Sequence, residues 1–380
     1  MEINISNIKL FYTFIVQRQI IFMKKIYLLP ILLLLVASCS SNSTNPAPIV
    51  DQMYFPPNGS SAWETKSISD LSWNQSAVQP LLDYLELKNS KSFMILVNGR
   101  IVMENYFNGH SATTNWYWAS AGKTLTSTMT GIAQQEGFLN INNKVSDYIG
   151  TGWTNETLNK ENLITCKNLL SMTTGIDDYV GGVYSDDVTP SSLNYKEDAG
   201  TRWAYSNVYV KLQDVIANAT GQTWSNYFNT KLRDKIGMDG FWFTSGNNIV
   251  YTSTTRSMAR FGLMALNKGK WNGTQIVNET YFNQATTTSQ NINLGYGYLW
   301  WLNGKTSYHL PQSQLEFAGS IIPTAPSDMF MALGKNDQKI YVIPSKYMVV
   351  IRMGDPADSA NLALSDFDAT LWTKINALYQ

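Results

Sequence analysis

The sequence predicts an α+β fold in which one antiparallel sheet is assembled from both ends of the chain. Strand-forming runs rich in β-branched and aromatic residues occur near the amino end and again near the carboxyl end, and helical spacing of apolar residues dominates between them. We therefore expect a mainly helical insertion at about residues 121–285. The strand-forming runs are residues 93–97, 100–107, 329–333, 340–343 and 347–351.

The composition is that of a globular protein, and the chain is longer than a domain with a single hydrophobic core usually is. Of its 380 residues, 44% are hydrophobic. Domains with a single core rarely exceed about 250 residues, so we expect two cooperating subdomains. The 28 basic side chains balance the 28 acidic ones. Because this balance gives no basic field for a polyanion, we expect no nucleic-acid partner.

Residues 1–38 are expected to be a leader and a lipoprotein signal peptide. The basic pair Lys24-Lys25 precedes a short apolar run at residues 26–36, and small residues come directly before Cys39. A run this short cannot span a bilayer core, which needs about 20 apolar residues. We therefore expect cleavage before Cys39 and acylation of its thiol, which would leave an exported protein held to a bacterial membrane by lipid alone. The alternative is an ordinary signal peptide with an incidental cysteine.

Residues 39–75 are expected to form a tether and an N-terminal segment, because residues 40–48 are polar and contain proline. Residues 76–380 are expected to form the folded domain. With Cys39 acylated, Cys166 has no partner for a disulfide, so we expect a buried structural thiol there.

The main helices are predicted from apolar periodicity and from a glycine at the end. Leu125, Met129 and Ile132 follow helical spacing, and Gly137 stands where a left-handed stop belongs. One helix is therefore predicted at residues 121–136. Further helices are predicted in the same way at residues 208–219, 256–266 and 362–377.

Several familiar catalytic sites are excluded by inspection of the sequence. It contains no Gly-x-Ser-x-Gly elbow, and Tyr117 stands where a phosphate-binding loop ending at Gly122-Lys123 requires its first glycine. The two histidines, His110 and His309, form no His-x-x-x-His pair, which argues against a zinc hydrolase. We expect both to be solvated loop residues, and we expect neither a metal nor a cofactor.

The first motif with catalytic potential is Ser120-Ala121-Gly122-Lys123, at the start of the helix predicted at residues 121–136. A serine in the first turn and a lysine three residues later share one helix face, so the amine can reach the hydroxyl. The positive field of the helix N-terminus also favours a developing oxyanion at the serine. The other interpretation is an N-cap serine followed by a solvated lysine, and the motif alone leaves both open.

A second motif is Tyr205-Ser206-Asn207. The pattern Tyr-x-Asn occurs four times in the chain, but this copy follows a turn at residues 198–204 and precedes a predicted helix. A loop in this position can direct a phenol into a cleft while its neighbours fix the backbone.

With these two motifs, the chain resembles the serine β-lactamase and penicillin-binding-protein superfamily. The similarity is to its class C-like branch, which includes family VIII esterases and 6-aminohexanoate-oligomer hydrolases. It extends over nearly all of residues 76–378. The segments that carry it are ITCKNLLSMTTG (164–175), GTRWAYSN (200–207), MARFG (258–262), GYGYLWW (295–301) and IYVIP (340–344). The resemblance implies Ser120 as the nucleophile, Lys123 as its proton acceptor and Tyr205 as the proton carrier to the leaving group.

The sequence departs from the superfamily at a third motif, which is commonly Lys-Thr-Gly or His-x-Gly on the strand facing the serine. Here the matching stretch begins at Ala332, so the cation that binds the carboxylate of β-lactams is missing. This departure favours an uncharged ester or amide. Gly334, Lys335 and Asn207 are the remaining candidates for substrate or oxyanion binding, with the backbone N–H of Lys335 opposite that of Ser120. The Lys335 side chain is expected further along the same strand, facing away from Ala332.

The sequence thus predicts an exported serine hydrolase that cleaves a small ester or amide through an acyl-enzyme on Ser120. One alternative is a D-amino-acid peptidase or weak β-lactamase that uses the same residues. Another is a non-catalytic lipoprotein that keeps the fold for binding. The expected partner is a small ester, amide or peptide substrate, and the sequence leaves the oligomeric state open.

Overall fold

The computed structural model describes residues 52–358 and 365–379. The predicted signal peptide, Cys39 and the polar stretch at residues 40–48 lie outside the described residues. The longer strands are β1 (Ser90–Val97), β2 (Arg100–Tyr106), β6 (Phe241–Ser245), β7 (Asn248–Ser253), β13 (Phe330–Gly334), β14 (Gln338–Ile343) and β15 (Met348–Gly354). The short strands are β3 (Trp116–Tyr117), β4 (Tyr179–Val180), β5 (Val183–Tyr184), β8 (Lys270–Trp271), β9 (Thr274–Gln275), β10 (Trp301–Leu302), β11 (Ser307–His309) and β12 (Glu316–Ala318).

The α-helices lie mainly between β2 and β10. They are α1 (Val78–Leu87), α2 (Lys123–Gln135), α3 (Ser146–Ile149), α4 (Leu158–Glu161), α5 (Cys166–Ser171), α6 (Lys211–Thr220), α7 (Trp224–Phe228), α8 (Thr255–Leu266), α9 (Glu279–Ala285) and α10 (Asp366–Asn376).

A six-stranded sheet in the order β10-β13-β14-β15-β1-β2 forms the centre of the molecule. All of its paired neighbours are antiparallel, and Ile95 of the amino-terminal β1 lies opposite Val350 of the carboxyl-terminal β15. The predicted α+β class is therefore confirmed, with a sheet built from both ends of the chain. Every residue of β15 is buried, which is typical of a strand covered on both faces.

The turn between β1 and β2 has the conformation that its dipeptide predicts. Asn98 and Gly99 both have positive φ angles, 47° and 78°, as a two-residue hairpin turn with a right-handed strand twist requires. The preceding segment packs on this hairpin, because the Ile101 amide donates to the Glu64 carbonyl at 2.9 Å. The compact unit accordingly begins at Gln52.

The sheet and the helical insertion share one hydrophobic core, so they form a single compact unit and not two separate bodies. Helix α8 packs on β1, β14 and β15, while α1 and α10 pack on each other. Tyr84 of α1 stacks on Phe367 of α10 with ring centroids 5.6 Å apart. Cys166 is fully buried, and burial raises the pKa of its thiol to about 12, as expected for a structural cysteine.

The insertion contains more strand than the sequence analysis predicts. β6 and β7 form a hairpin that joins β3 in a three-stranded sheet. The signal was present, since both strands are rich in aromatic and β-branched residues and flank Gly246-Asn247. Among the described residues, no helix is both long and apolar enough to cross a membrane.

Candidate active site

Ser120 lies in a 3₁₀ turn, Ala119–Gly122, that connects β3 to α2. The turn is entered through Ala119, whose φ of 47° is in the left-handed region that costs a non-glycine residue about 1–3 kcal/mol. Trp118 holds this entrance in place: its ring is fully buried, its backbone amide donates to the Tyr251 carbonyl at 2.9 Å and its indole donates to Ser253 Oγ at 2.8 Å. These contacts fix a half-buried Ser120 at the edge of the core.

Lys123 is the first residue of α2, one turn after Ser120. Its Nζ lies 3.0 Å from Ser120 Oγ, as the shared helix face predicts. Only 6% of the lysine is exposed, so the interpretation as a solvated lysine is wrong. The N-cap interpretation is also wrong, because Gly122 occupies the N-cap of this described helix, without a side-chain capping bond.

The environment of Lys123 lowers the proton affinity of its amine. Burial lowers the pKa of Lys123 from 10.5 to about 8, and the smaller effect of the Asp186 carboxylate is in the opposite direction. In the described part of the chain, no carboxylate lies within ion-pair distance of its amine. An amine of this kind, hydrogen-bonded to a hydroxyl, can accept the hydroxyl proton near neutral pH.

Tyr205 lies beside this pair on the loop before a 3₁₀ turn at Asn207–Val210. Its ring centroid is 4.9 Å from Lys123 Nζ, and the ring stacks on Trp301 at 5.7 Å. Burial raises the pKa of Tyr205 well above its ordinary value, and an interaction with the Ser120 side chain opposes this effect. The phenol therefore stays neutral and keeps a proton that it can donate. The structure brings Ser120, Lys123 and Tyr205 together.

Gly334, at the end of β13, lies against the turn that carries Ser120. A Cβ at this position would overlap the carbonyl oxygen of Trp118 and would approach the Ala121 amide nitrogen to 3.0 Å. Only glycine fits there. Because alternate strand residues share a face, the buried Ala332 lies on the same side of the sheet as the contact of Gly334. Its effect on the choice of substrate stays a prediction.

The expected strand position of Lys335 is wrong. β13 ends at Gly334, and Lys335 begins a short turn with an exposed side chain. The turn forms because Asn336 and Asp337 both have left-handed φ angles, 62° and 60°. Asn336 then donates from Nδ2 to the Tyr117 hydroxyl at 2.7 Å. The oxyanion role of the Lys335 backbone stays a prediction.

Asn207 is buried and joins two loops beside the site. Its Nδ2 donates to the carbonyls of Asp186 and Asn247, each at 3.0 Å. This amide nitrogen is therefore engaged by backbone, and a substrate-binding role for the residue stays a prediction.

The position of His309 corrects the expectation of a solvated loop residue. It lies on β11, is 7% exposed and packs near Trp203, with ring centroids 6.2 Å apart. His309 is buried because β11 packs beside Trp203, whose ring centroid is also 6.2 Å from that of Tyr205. His110 is half-buried, with its ring edge-on to Trp116. No group of His, Cys, Asp or Glu side chains suited to a metal occurs within residues 52–358 and 365–379.

Two residues near Lys123 were not among the site residues predicted from the sequence. The Tyr209 ring centroid lies 4.4 Å from Lys123 Nζ, and the Asp186 carboxylate acts on the pKa of Lys123 and of Tyr205. Tyr205 lies on a loop and Tyr209 on the 3₁₀ turn that follows it, so no helical spacing in the sequence indicates that both rings face the lysine. Asp186 lies in a long connection whose path the sequence does not predict.

The fold is of the β-lactamase/transpeptidase type, which is the fold of the serine β-lactamase and penicillin-binding-protein superfamily. The β-lactamase family model matches residues 89–352, which is more than half of the chain. The protein therefore belongs to the β-lactamase family.

Individual relatives are distant. An uncharacterized protein of Alkalihalophilus pseudofirmus is 24% identical over 300 residues, which are 69% of this chain and 82% of that protein. A provisionally named 6-aminohexanoate-dimer hydrolase from Bacillus anthracis has a TM-score of 0.64 at 18% identity, over 85% of this chain and 89% of that one. A class C β-lactamase has a TM-score of 0.60 at 17% identity, over 82% and 98%. At these identities, the two structures show the shared fold.

Proposed function

We propose that this protein is an exported serine hydrolase that cleaves a small uncharged ester or amide through an acyl-enzyme on Ser120. The observation that carries the proposal is the 3.0 Å contact between Ser120 Oγ and the Nζ of a buried Lys123 that has no ion-pair partner in the described chain. Membership of the β-lactamase family supports the hydrolase class. Export and lipidation at Cys39 are part of the proposal and rest on the signal-like sequence.

The first half of the proposed reaction forms the acyl-enzyme. Neutral Lys123 accepts the hydroxyl proton as Ser120 Oγ attacks the carbonyl carbon of the substrate. The negative charge passes to the carbonyl oxygen, where the backbone N–H groups of Ser120 and Lys335 would stabilise it. The bond to the leaving group then breaks as Tyr205 donates a proton to the departing alkoxide or amide nitrogen and takes up the proton that Lys123 accepted from Ser120.

The second half of the reaction frees the acid product. Water attacks the acyl carbonyl carbon and gives up a proton to the lysine–tyrosine pair. The tetrahedral intermediate then releases Ser120 Oγ, which regains a proton. Because burial lowers the pKa of Lys123 to about 8, the proposed reaction needs neither a histidine nor a metal to activate the serine.

Ala332 supports the preference for an uncharged substrate. Its methyl group stands on the sheet face where a cation would have to meet a substrate carboxylate. A D-amino-acid peptidase or weak β-lactamase would use the same three residues, and a non-catalytic lipoprotein would use none of them.

Hydrolysis of p-nitrophenyl butyrate and of nitrocefin by the purified protein separates these functions. We expect turnover of the ester and a much lower kcat/KM for nitrocefin. Efficient nitrocefin turnover would favour the β-lactamase or peptidase alternative. Absence of hydrolysis for both, together with no covalent labelling of Ser120, would favour a binding protein.

A further inference from the structure

The amine of Lys123 lies close to two aromatic rings, and the nearer one belongs to Tyr209. The distances from Nζ to the ring centroids are 4.4 Å for Tyr209 and 4.9 Å for Tyr205. Both are inside the range of about 6 Å in which an ammonium is attracted to a ring face. Tyr209 is buried on the 3₁₀ turn Asn207–Val210, so its ring is held by the core.

A lysine that acts as a base has two conflicting requirements. Its amine must be held next to the serine, but it must also release its proton near neutral pH. A carboxylate in contact with the amine would meet the first requirement and defeat the second, because an opposite charge favours the protonated form. A ring face attracts the ammonium more weakly and cannot accept the proton.

We propose that Tyr209 is a positioning residue that holds the Lys123 amine at Ser120 through its ring face. This inference rests on the proposed function of Lys123 as the base. It adds a residue outside the predicted motifs, and it assigns the effect to the ring and not to the hydroxyl.

The groups that face the Lys123 amine are Ser120, Tyr205, Tyr209 and, at longer range, Asp186. Burial raises the pKa of Tyr209 well above its ordinary value, so its hydroxyl carries no charge at neutral pH. Loss of this hydroxyl should therefore change the charge of the site little. Loss of the ring in a site that stays buried removes a stabilisation of the ammonium, and the pKa of Lys123 should fall further.

The test compares Tyr209→Phe, which keeps the ring, with Tyr209→Leu, which keeps an apolar side chain without one. The pKa of Lys123 is measured by NMR titration of full-length protein labelled with ¹³Cε-lysine, and Lys123→Arg identifies the resonance. This readout does not depend on turnover. We expect Tyr209→Phe to keep the wild-type midpoint and Tyr209→Leu to lower it by up to about one pH unit.

A second readout measures the positioning itself. The rate of covalent reaction of Ser120 with a fluorophosphonate is measured at a pH above the midpoint, where the neutral amine still donates an N–H to the ring face. This rate should fall about two- to fivefold in Tyr209→Leu and less than twofold in Tyr209→Phe. A Lys123 midpoint in Tyr209→Leu that equals or exceeds that of Tyr209→Phe would overturn the inference, since Tyr209 would then only exclude water. If Tyr209→Leu fails to fold, Tyr209→Met serves as the ringless variant. An unlabelled wild-type Ser120 would instead reject the proposed function, and the titration would still decide the role of the ring.

Discussion

Gly334 lies directly against the carbonyl oxygen of Trp118, so the end of strand β13 and the turn that carries Ser120 are in contact. The contact joins a strand from the carboxyl end of the chain to a turn more than 200 residues earlier. The position of the nucleophile therefore depends on the assembled sheet.

Gly334→Ala should lower activity at least tenfold. Its Cβ cannot be placed without moving the Trp118 carbonyl or the end of the strand, which shifts Ser120 relative to the strand. The measurement is kcat/KM for p-nitrophenyl butyrate. Gly273→Ala is the control for a strained backbone away from the site, because its φ of 80° disfavours alanine while an added Cβ meets no atom within 4 Å. Equal activity of the two variants would show that the contact with Trp118 does not position the serine.

Lys123→Met should stabilise the protein near pH 7 while abolishing activity. The pKa of Lys123 is about 8 in the folded protein and 10.5 when unfolded, so the unfolded chain binds more protons between these values. The stability of the wild type must then rise with pH from about 8 to about 10.5. Below pH 8 the buried ammonium lowers the free energy of unfolding of the wild type by about 3 kcal/mol. Lys123→Met removes this penalty but also loses the hydrogen bond to Ser120, which contributes about 1 kcal/mol.

Urea denaturation at pH 7 and pH 10 measures this difference. We expect Lys123→Met to be about 2 kcal/mol more stable than the wild type at pH 7, and we expect the gain to disappear at pH 10. Lys268→Met, at an exposed lysine, is the control and should show no such pH dependence. A gain for Lys123→Met that is the same at both pH values would mean that the amine titrates normally.

Lys123→Arg and Tyr205→Phe should each lower kcat by at least a hundredfold. Arginine keeps the charge but cannot be deprotonated, and phenylalanine keeps the ring but has no proton to donate. Because both residues act in one transfer of the proton from Ser120 to the leaving group, the double variant should lose little more than either single one. Tyr227→Phe, at a buried tyrosine bonded to Glu136, is the control for loss of a hydroxyl. Near-native turnover by Lys123→Arg would make the lysine a purely electrostatic element.

Ala332→Lys should improve nitrocefin turnover relative to p-nitrophenyl butyrate by ten- to a hundredfold. A cation on this face could form a charge-assisted hydrogen bond of about 1.5–3 kcal/mol with the carboxylate of the β-lactam. Ala332→Met adds similar bulk without charge and should not change the ratio in this way. Efficient nitrocefin hydrolysis by the native protein that is lost in Lys335→Ala would contradict the expectation, since Lys335 would then replace the missing cation.

The features predictable from the sequence are those with a local periodic signal. The Asn98-Gly99 turn predicts its hairpin, and the three-residue spacing of Ser120 and Lys123 predicts that the two side chains meet. Both contacts are present in the structure. The α+β class also follows from patterns within short runs of sequence.

The features that could not be predicted depend on contacts between distant segments. Lys335 lies outside the strand because Asn336 and Asp337 adopt left-handed φ angles. The buried carboxylate of Asp337 pairs with Lys339, and this contact stabilises the turn. His309 is buried because β11 packs beside Trp203, more than 100 residues earlier. Neither packing contact leaves a periodic pattern in the sequence.

Covalent labelling of Ser120 tests the account most directly. A fluorophosphonate should react with the native protein as Ser120 Oγ attacks phosphorus and fluoride leaves, and peptide mass spectrometry should locate one adduct on Ser120. The labelling rate should rise with pH through about 8, as Lys123 loses its proton. Ser120→Ala should fold with a melting temperature within a few degrees of the native one and take up no label. An unlabelled native protein, or equal labelling of Ser120→Ala, would contradict the central claim that Ser120 is the nucleophile.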